Sequence, residues 1–216
     1  MLLRAVIFDL DGTLLDSMGF WEDLAPAFLR RHGVRDFVGI SEEIARMTLP
    51  EALAHVVKRC SLPLTVAEAL AEIERELASF YGERACFKPG AAEFLGEVRR
   101  RGCAAGILSA TPREYVERAL LRLGVRENFS AIRCSGEPGM SKSRPDGFLR
   151  LAAELGSRVA ETLVCEDAFY AASAAKRAGF RVCAIRDDSE ERREELRRIA
   201  DWYIGSWHEV PPALFA

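Results

Sequence analysis

The stretch Ala5-Val6-Ile7-Phe8-Asp9-Leu10-Asp11-Gly12-Thr13-Leu14 decides the fold. Its first half is short, apolar, β-branched and aromatic, and a Gly-Thr turn signal bounds it, which predicts a buried strand over roughly residues 4–10. Asp9 then falls at the carboxyl end of the strand and Asp11 in the loop beyond. In open α/β sheets that edge is where ligands bind. Ionised carboxylates crowded there repel one another unless a cation or a proton offsets them. An isolated Asp-x-Asp is commonly a helix cap or a turn. One that ends an apolar strand and runs into Gly-Thr points to chemistry instead.

Beyond this strand the periodicity is helical from about Ser17 to Glu83. Trp21, Leu24, Phe28 and Leu29 repeat at helical spacing, as do Leu53, Val56 and Val57, and then Leu70, Ile73, Leu77, Phe80 and Tyr81. Gly33, Gly39, Pro50 and Ser61-Leu62-Pro63 divide the segment into four or five helices. The core resumes at Lys88-Pro89-Gly90 with a helix carrying Phe94, Leu95 and Val98. Strands are expected at about 103–109, 130–134, 162–166 and 181–185, separated by helices that include an Ala-rich one ending at Gly179. Asp188 with Glu191 predicts the start of a charged helix, and Trp202-Tyr203-Ile204 a short edge strand. Thr111-Pro112-Arg113-Glu114 resembles a capping box, which makes Thr111 a helix cap rather than a catalyst. The alternation predicts an α/β fold, a doubly wound parallel Rossmann-like sheet over residues 1–16 and 84–216, with an inserted all-α domain over 17–83.

Composition narrows the function. With 216 residues the chain suits one domain plus an insert, and 49% apolar residues suffice for a core. A net charge of −3 gives no electrostatic case for nucleic acid or for an anionic membrane. Basic runs such as Arg99-Arg100-Arg101 alternate with acids and read as solvated helix faces. The six cysteines form no CxxC, and His32, His55 and His208 lie too far apart in sequence to suggest zinc. No apolar run reaches membrane-spanning length and no leader pattern precedes the first strand, so a cytoplasmic location is expected.

Four short segments together resemble the motifs of the haloacid dehalogenase-type phosphohydrolases. The first is the Asp9-Leu10-Asp11-Gly12-Thr13 stretch. The second is Ala104-Ala105-Gly106-Ile107-Leu108-Ser109, an apolar strand ending in a hydroxyl. The third is Lys142-Ser143-Arg144-Pro145-Asp146, where Ser143 replaces the family's first proline. The fourth is Thr162-Leu163-Val164-Cys165-Glu166-Asp167, an apolar strand ending in paired acids. The likeness spans nearly the whole chain and points to the phosphoglycolate phosphatase and beta-phosphoglucomutase-like subgroup, in which the helical insert is a cap over the site.

The resemblance implies a magnesium-dependent phosphatase acting on a small phosphorylated metabolite. Its strand order would bring Asp9, Asp11, Glu166 and Asp167 together, and oxygen-only donors suit magnesium. Asp9 and Asp167 would be direct ligands, with the Asp11 carbonyl a third and Glu166 a water-mediated partner. Asp9 would also be the nucleophile that forms an aspartyl-phosphate, Asp11 the acid and base, Ser109 a donor to a phosphate oxygen and Lys142 its counter-charge. Ser17, Met18 and residues near 82–88 would be hinges. Asp11 argues against the dehalogenase branch, which lacks an acid there. Gly139-Met140-Ser141-Lys142-Ser143 lacks the glycines of a phosphate-binding P-loop. A sugar-phosphate mutase is the alternative. Its helical His falls here on Trp21, and its Gly-x-Ser-Arg turn on Arg46-Met47-Thr48-Leu49, and both departures favour hydrolysis. A receiver-like phosphoaspartate module would be about half this length and would lack the insert.

Overall fold

A computed structural model describes residues 2–35, 39–44, 47, 49–134 and 136–215. Six strands form one parallel sheet: β1 (Ala5–Phe8), β2 (Ala104–Ser109), β3 (Ala131–Cys134), β4 (Thr162–Glu166), β5 (Arg181–Ile185) and β6 (Trp202–Ile204), in the order β3-β2-β1-β4-β5-β6. The order reverses direction beside β1, so the strand that carries the paired aspartates sits between β2 and β4, at the switch point.

Helices α1 (Met18–Arg31), α2 (Ile40–Ile44), α3 (Leu49–Arg59) and α4 (Val66–Ser79) precede a π-helical turn at Phe80–Arg84. The core helices are α5 (Ala91–Arg100), α6 (Arg113–Arg122), α7 (Pro145–Glu154), α8 (Phe169–Arg177) and α9 (Arg193–Ile199). The chain divides into two compact units, Met1–Met18 with Gly82–Ala216 and Gly19–Tyr81. Among the described residues no helix is long and apolar enough to cross a membrane.

Alternation along β1 sends its side chains to both faces of the sheet. Phe8 meets an aromatic cluster, with ring centroids 5.9 Å from Phe94, 6.2 Å from Phe129 and 6.0 Å from Trp207. Ile7 packs into the opposite cluster with Leu108, Phe148, Val164 and Phe180. Ala171, Ala172, Ala174 and Ala175 of α8 are all fully buried there. Their small side chains let the helix lie close on the sheet. Every β1 residue is sealed from solvent, which makes the position of its carboxyl end unyielding.

The insert is built on its own apolar interior of Phe28, Leu29, Leu53, Val56, Ile73 and Leu77. A capping box starts α4, where Thr65 Oγ1 accepts the Glu68 N–H at 3.2 Å and Glu68 Oε2 accepts the Thr65 N–H at 2.7 Å. Trp21 donates its indole N–H to the Tyr81 hydroxyl at 3.0 Å and lines an apolar cavity of about 390 Å³ within this unit. It is thus both core and cavity wall. Of Arg46-Met47-Thr48-Leu49, the stretch nearest to the mutase turn and expected to lack its Arg, Arg46 and Thr48 lie outside the described residues.

Two expected helix starts differ from the structure. A Thr111 cap makes Glu114 the third helical residue, but α6 begins at Arg113 with Pro112 as its N-cap and no side-chain cap hydrogen bond from it. The Thr111 hydroxyl is drawn to a carboxylate elsewhere, a stronger acceptor. The charged helix starts at Arg193 rather than near Asp188, because neighbouring acids serve the loop: Asp187 accepts the Ser189 N–H and Glu190 accepts the Phe169 N–H.

Two contacts outside the sheet generate stability predictions. Trp207 donates its indole N–H to the Thr13 carbonyl at 2.9 Å and stacks on Phe94 at 4.6 Å. Trp207→Phe keeps a ring and orphans that buried carbonyl, so a loss of about 1–3 kcal/mol is expected in urea unfolding. A midpoint at the wild-type value would mean the bond contributes nothing. Lys88 Nζ lies 2.7 Å from Asp187 Oδ2, largely out of solvent. Burial favours the neutral acid, but Lys88 and Ser189 overcome it and hold Asp187 below the ordinary aspartate range. The folded state therefore gains stability from this group above the ordinary aspartate pKa and loses it as pH falls through the lower folded value. Lys88→Met should be less stable than wild type near neutrality, with the gap narrowing in acid. A gap independent of pH would contradict the ion pair's role.

Candidate active site

The register that pairs Phe8 with Cys165 sets Asp9 level with Glu166, and the Asp9 N–H continues the ladder to the Cys165 carbonyl at 3.0 Å. The chain then turns tightly. Leu14 and Leu15 both donate N–H groups to the Leu10 carbonyl, Gly12 donates to Leu15, and Gly12 takes φ +80. This turn points the Thr13 hydroxyl at Asp167, which accepts it at 2.8 Å.

Lys142 reaches the strand ends from the loop before α7. Its ammonium donates to Asp9 Oδ1 at 2.6 Å and lies 2.5 Å from Glu166 Oε1. The second contact is ionic rather than directed, for Glu166 Oε1 makes no well-angled hydrogen bond. Glu166 Oε2 accepts the N–H groups of Asp167 and Ala168, both at 3.1 Å. Asp9, Glu166, Asp167 and Lys142 are each buried.

The electrostatics of this group are lopsided. Burial works against the charge on Lys142, but Asp9 and Glu166 overcome it and hold the ammonium well above the usual lysine range. Burial, with help from Asp9, pushes Glu166 up to about 7 even though Lys142 pulls the other way. Asp167 is raised well above the aspartate range by burial and then by Asp9 and Glu166. One ammonium faces three carboxylates, and the remaining negative charge calls for a further cation. Asp9, Glu166 and Asp167 each offer an oxygen within 4.8 Å of the others. An all-oxygen donor set at that spacing fits a hard divalent ion such as magnesium.

The sequence-derived residues thus fall into one neighbourhood. Ser109, buried at the end of β2, accepts the Thr111 N–H at 3.1 Å, so its own hydroxyl hydrogen remains available to a ligand. Asp11 lies in the turn, where Ser17 donates to its Oδ1 and Thr111 to its Oδ2, each at 2.7 Å. Thr111 is the residue that sequence reasoning assigned elsewhere. Its only signal was a second hydroxyl two positions past Ser109, and the Pro-Arg-Glu that follows masked it. Ser17, expected as a hinge, is also a partner of Asp11.

The turn tolerates no side chain at residue 12. A Cβ there would lie 2.8 Å from Asp167 Cγ and 2.9 Å from Met18 Cγ, at a φ that L-residues rarely adopt. Gly12→Ala is expected to cost about 1–3 kcal/mol in urea unfolding. An unchanged midpoint would show that the turn yields freely.

Residues 3–179 match the family model of the haloacid dehalogenase-like hydrolases. The chain is 29% identical over 208 residues to a phosphoglycolate phosphatase of Synechococcus elongatus, covering 94% of this chain and 92% of that protein. It is 29% identical over 177 residues to the validoxylamine A 7'-phosphate phosphatase of Streptomyces hygroscopicus subsp. limoneus, covering 82% of each. The crystal structure of CbbY from Rhodobacter sphaeroides in complex with phosphate shares the fold, with a TM-score of 0.76 at 24% identity over 97% of this chain and 96% of that one. The motifs, the sheet order and the family match agree: this chain belongs to the haloacid dehalogenase-like hydrolases.

Proposed function

We propose that this hydrolase is a magnesium-dependent phosphatase that cleaves a small-molecule phosphomonoester through an aspartyl-phosphate on Asp9. The observation that carries the reading is the convergence of Asp9, Glu166 and Asp167, with oxygens within 4.8 Å, around the Lys142 ammonium. Two relatives of similar length, named for phosphoglycolate and for a phosphorylated validoxylamine, support a small phosphorylated metabolite as substrate.

Magnesium would be held by the Asp9 and Asp167 carboxylates and the Asp11 carbonyl, with Glu166 acting through water, and would supply positive charge against the phosphate oxygens. The remaining work belongs to side chains. Lys142, kept charged, offsets the repulsion between an anionic nucleophile and an anionic phosphate. The Ser109 hydroxyl donates to a non-bridging phosphate oxygen. A carboxylate oxygen of Asp9 attacks phosphorus; the bond to the leaving oxygen breaks, and that oxygen takes its electron pair and a proton from Asp11. Asp11, now anionic, removes a proton from water as the water oxygen attacks phosphorus. Cleavage of the Asp9–phosphorus bond restores the carboxylate and releases inorganic phosphate.

Hydrolysis is favoured over phosphoryl return to a second hydroxyl by Trp21. Its indole N–H is committed to Tyr81, and an indole carries no titratable proton in place of the mutase histidine. We assign the inserted helices the choice of leaving group. The free thiols of all six cysteines accord with a cytoplasmic location.

Purified protein with magnesium, screened against phosphorylated metabolites, should release inorganic phosphate, stop with EDTA and resume with added magnesium. Asp9→Asn should lower turnover by at least about 1,000-fold while the fold persists. Wild-type turnover by that variant would remove the nucleophile assignment.

A further inference from the structure

Asp11 lies in the turn beyond β1, and rotation about its Cα–Cβ and Cβ–Cγ bonds could swing its carboxyl group away. Its two oxygens are nevertheless each engaged, Oδ1 by Ser17 and Oδ2 by Thr111, both at 2.7 Å. Thr111 is buried at 4% exposure and also donates its backbone N–H to Ser109 Oγ. One residue therefore links the hydroxyl assigned to the phosphate and the carboxyl assigned to the leaving oxygen.

Thr111 is not the N-cap of α6. Pro112 takes that position, at φ −54 and ψ 140, and makes no side-chain cap hydrogen bond. With the helix beginning one residue later than a Thr111 cap requires, the hydroxyl is placed outside the helix and directed at Asp11. A carboxyl held on both oxygens presents a fixed plane to the reacting atoms, and fixed orientation is worth a large factor in proton transfer. We infer that Thr111 is a positioning residue for Asp11: its hydroxyl holds the carboxyl in the orientation from which the leaving oxygen receives its proton. This rests on the reading of Asp11 as proton donor given above.

The test separates orientation of the acid from simple support of the fold. Full-length protein with magnesium is assayed on a series of substituted phenyl phosphates, from phenyl phosphate to p-nitrophenyl phosphate. The p-nitrophenolate departs without a proton, whereas phenolate needs one. Wild type should show a shallow dependence of kcat on leaving-group acidity. Thr111→Val should lose about 10- to 100-fold on phenyl phosphate and under about threefold on p-nitrophenyl phosphate, steepening the dependence. Thr111→Ser should restore the shallow slope. Should Val lower the thermal midpoint, Thr111→Ala, which adds no methyl group, takes its place with the same expectation. An equal loss on both esters, or none on either, would overturn the inference. Asp11→Asn is the reference. If it leaves the slope unchanged, the acid assignment itself fails; if it steepens the slope and the Thr111 variants do not, only the positioning role of Thr111 fails.

Discussion

Everything at the carboxyl edge of this sheet is governed by a shortage of positive charge. Asp9, Glu166 and Asp167 are buried together with Lys142 as their shared ammonium. Desolvated acids in such a group either take up protons or recruit a cation, and the upward shifts of Glu166 and Asp167 express that demand. The lysine is pinned by the same field, which keeps its charge in place.

Such crowding is tolerable only because the scaffold cannot relax away from it. β1 is hydrogen-bonded on both sides, in register with β2 and with β4, and packed on one face by an aromatic cluster and on the other by aliphatic side chains with Phe148 and Phe180. Backbone N–H groups of Asp167 and Ala168 fix Glu166, and the Thr13 hydroxyl fixes Asp167. The arrangement is preorganised: the orientation of these groups is settled during folding.

Much of this was legible in the chain because strand ends announce themselves. Apolar β-rich runs that stop at Asp9, Ser109 and Glu166-Asp167 carry both fold and site in a few residues each, and the Ala-rich run after Asp167 marks a helix pressed on the sheet. What escaped was decided by competition between partners distant in sequence. The Thr-x-x-Glu pattern at 111–114 and the one at 65–68 look alike on paper, yet only the second caps a helix. Thr111 has a carboxylate from a residue 100 positions away within reach, whereas the Thr65 hydroxyl meets its local partner Glu68. The late start of α9 has the same origin, for Glu190 is claimed by the Phe169 N–H 21 residues away.

The two strands of chain on either side of the helical excursion meet each other. The Asp16 N–H reaches the Cys86 carbonyl at 2.9 Å, the Lys88 N–H reaches the Leu14 carbonyl at 2.8 Å, and Leu15 bridges Phe87 in antiparallel fashion. To the sheet, the whole excursion is therefore equivalent to the tip of a hairpin. Lengthening or replacing a hairpin tip costs little entropy once its stem is paired, because closure grows only logarithmically with length. Evolution can thus exchange this module without disturbing the carboxylates and the lysine gathered at the sheet edge.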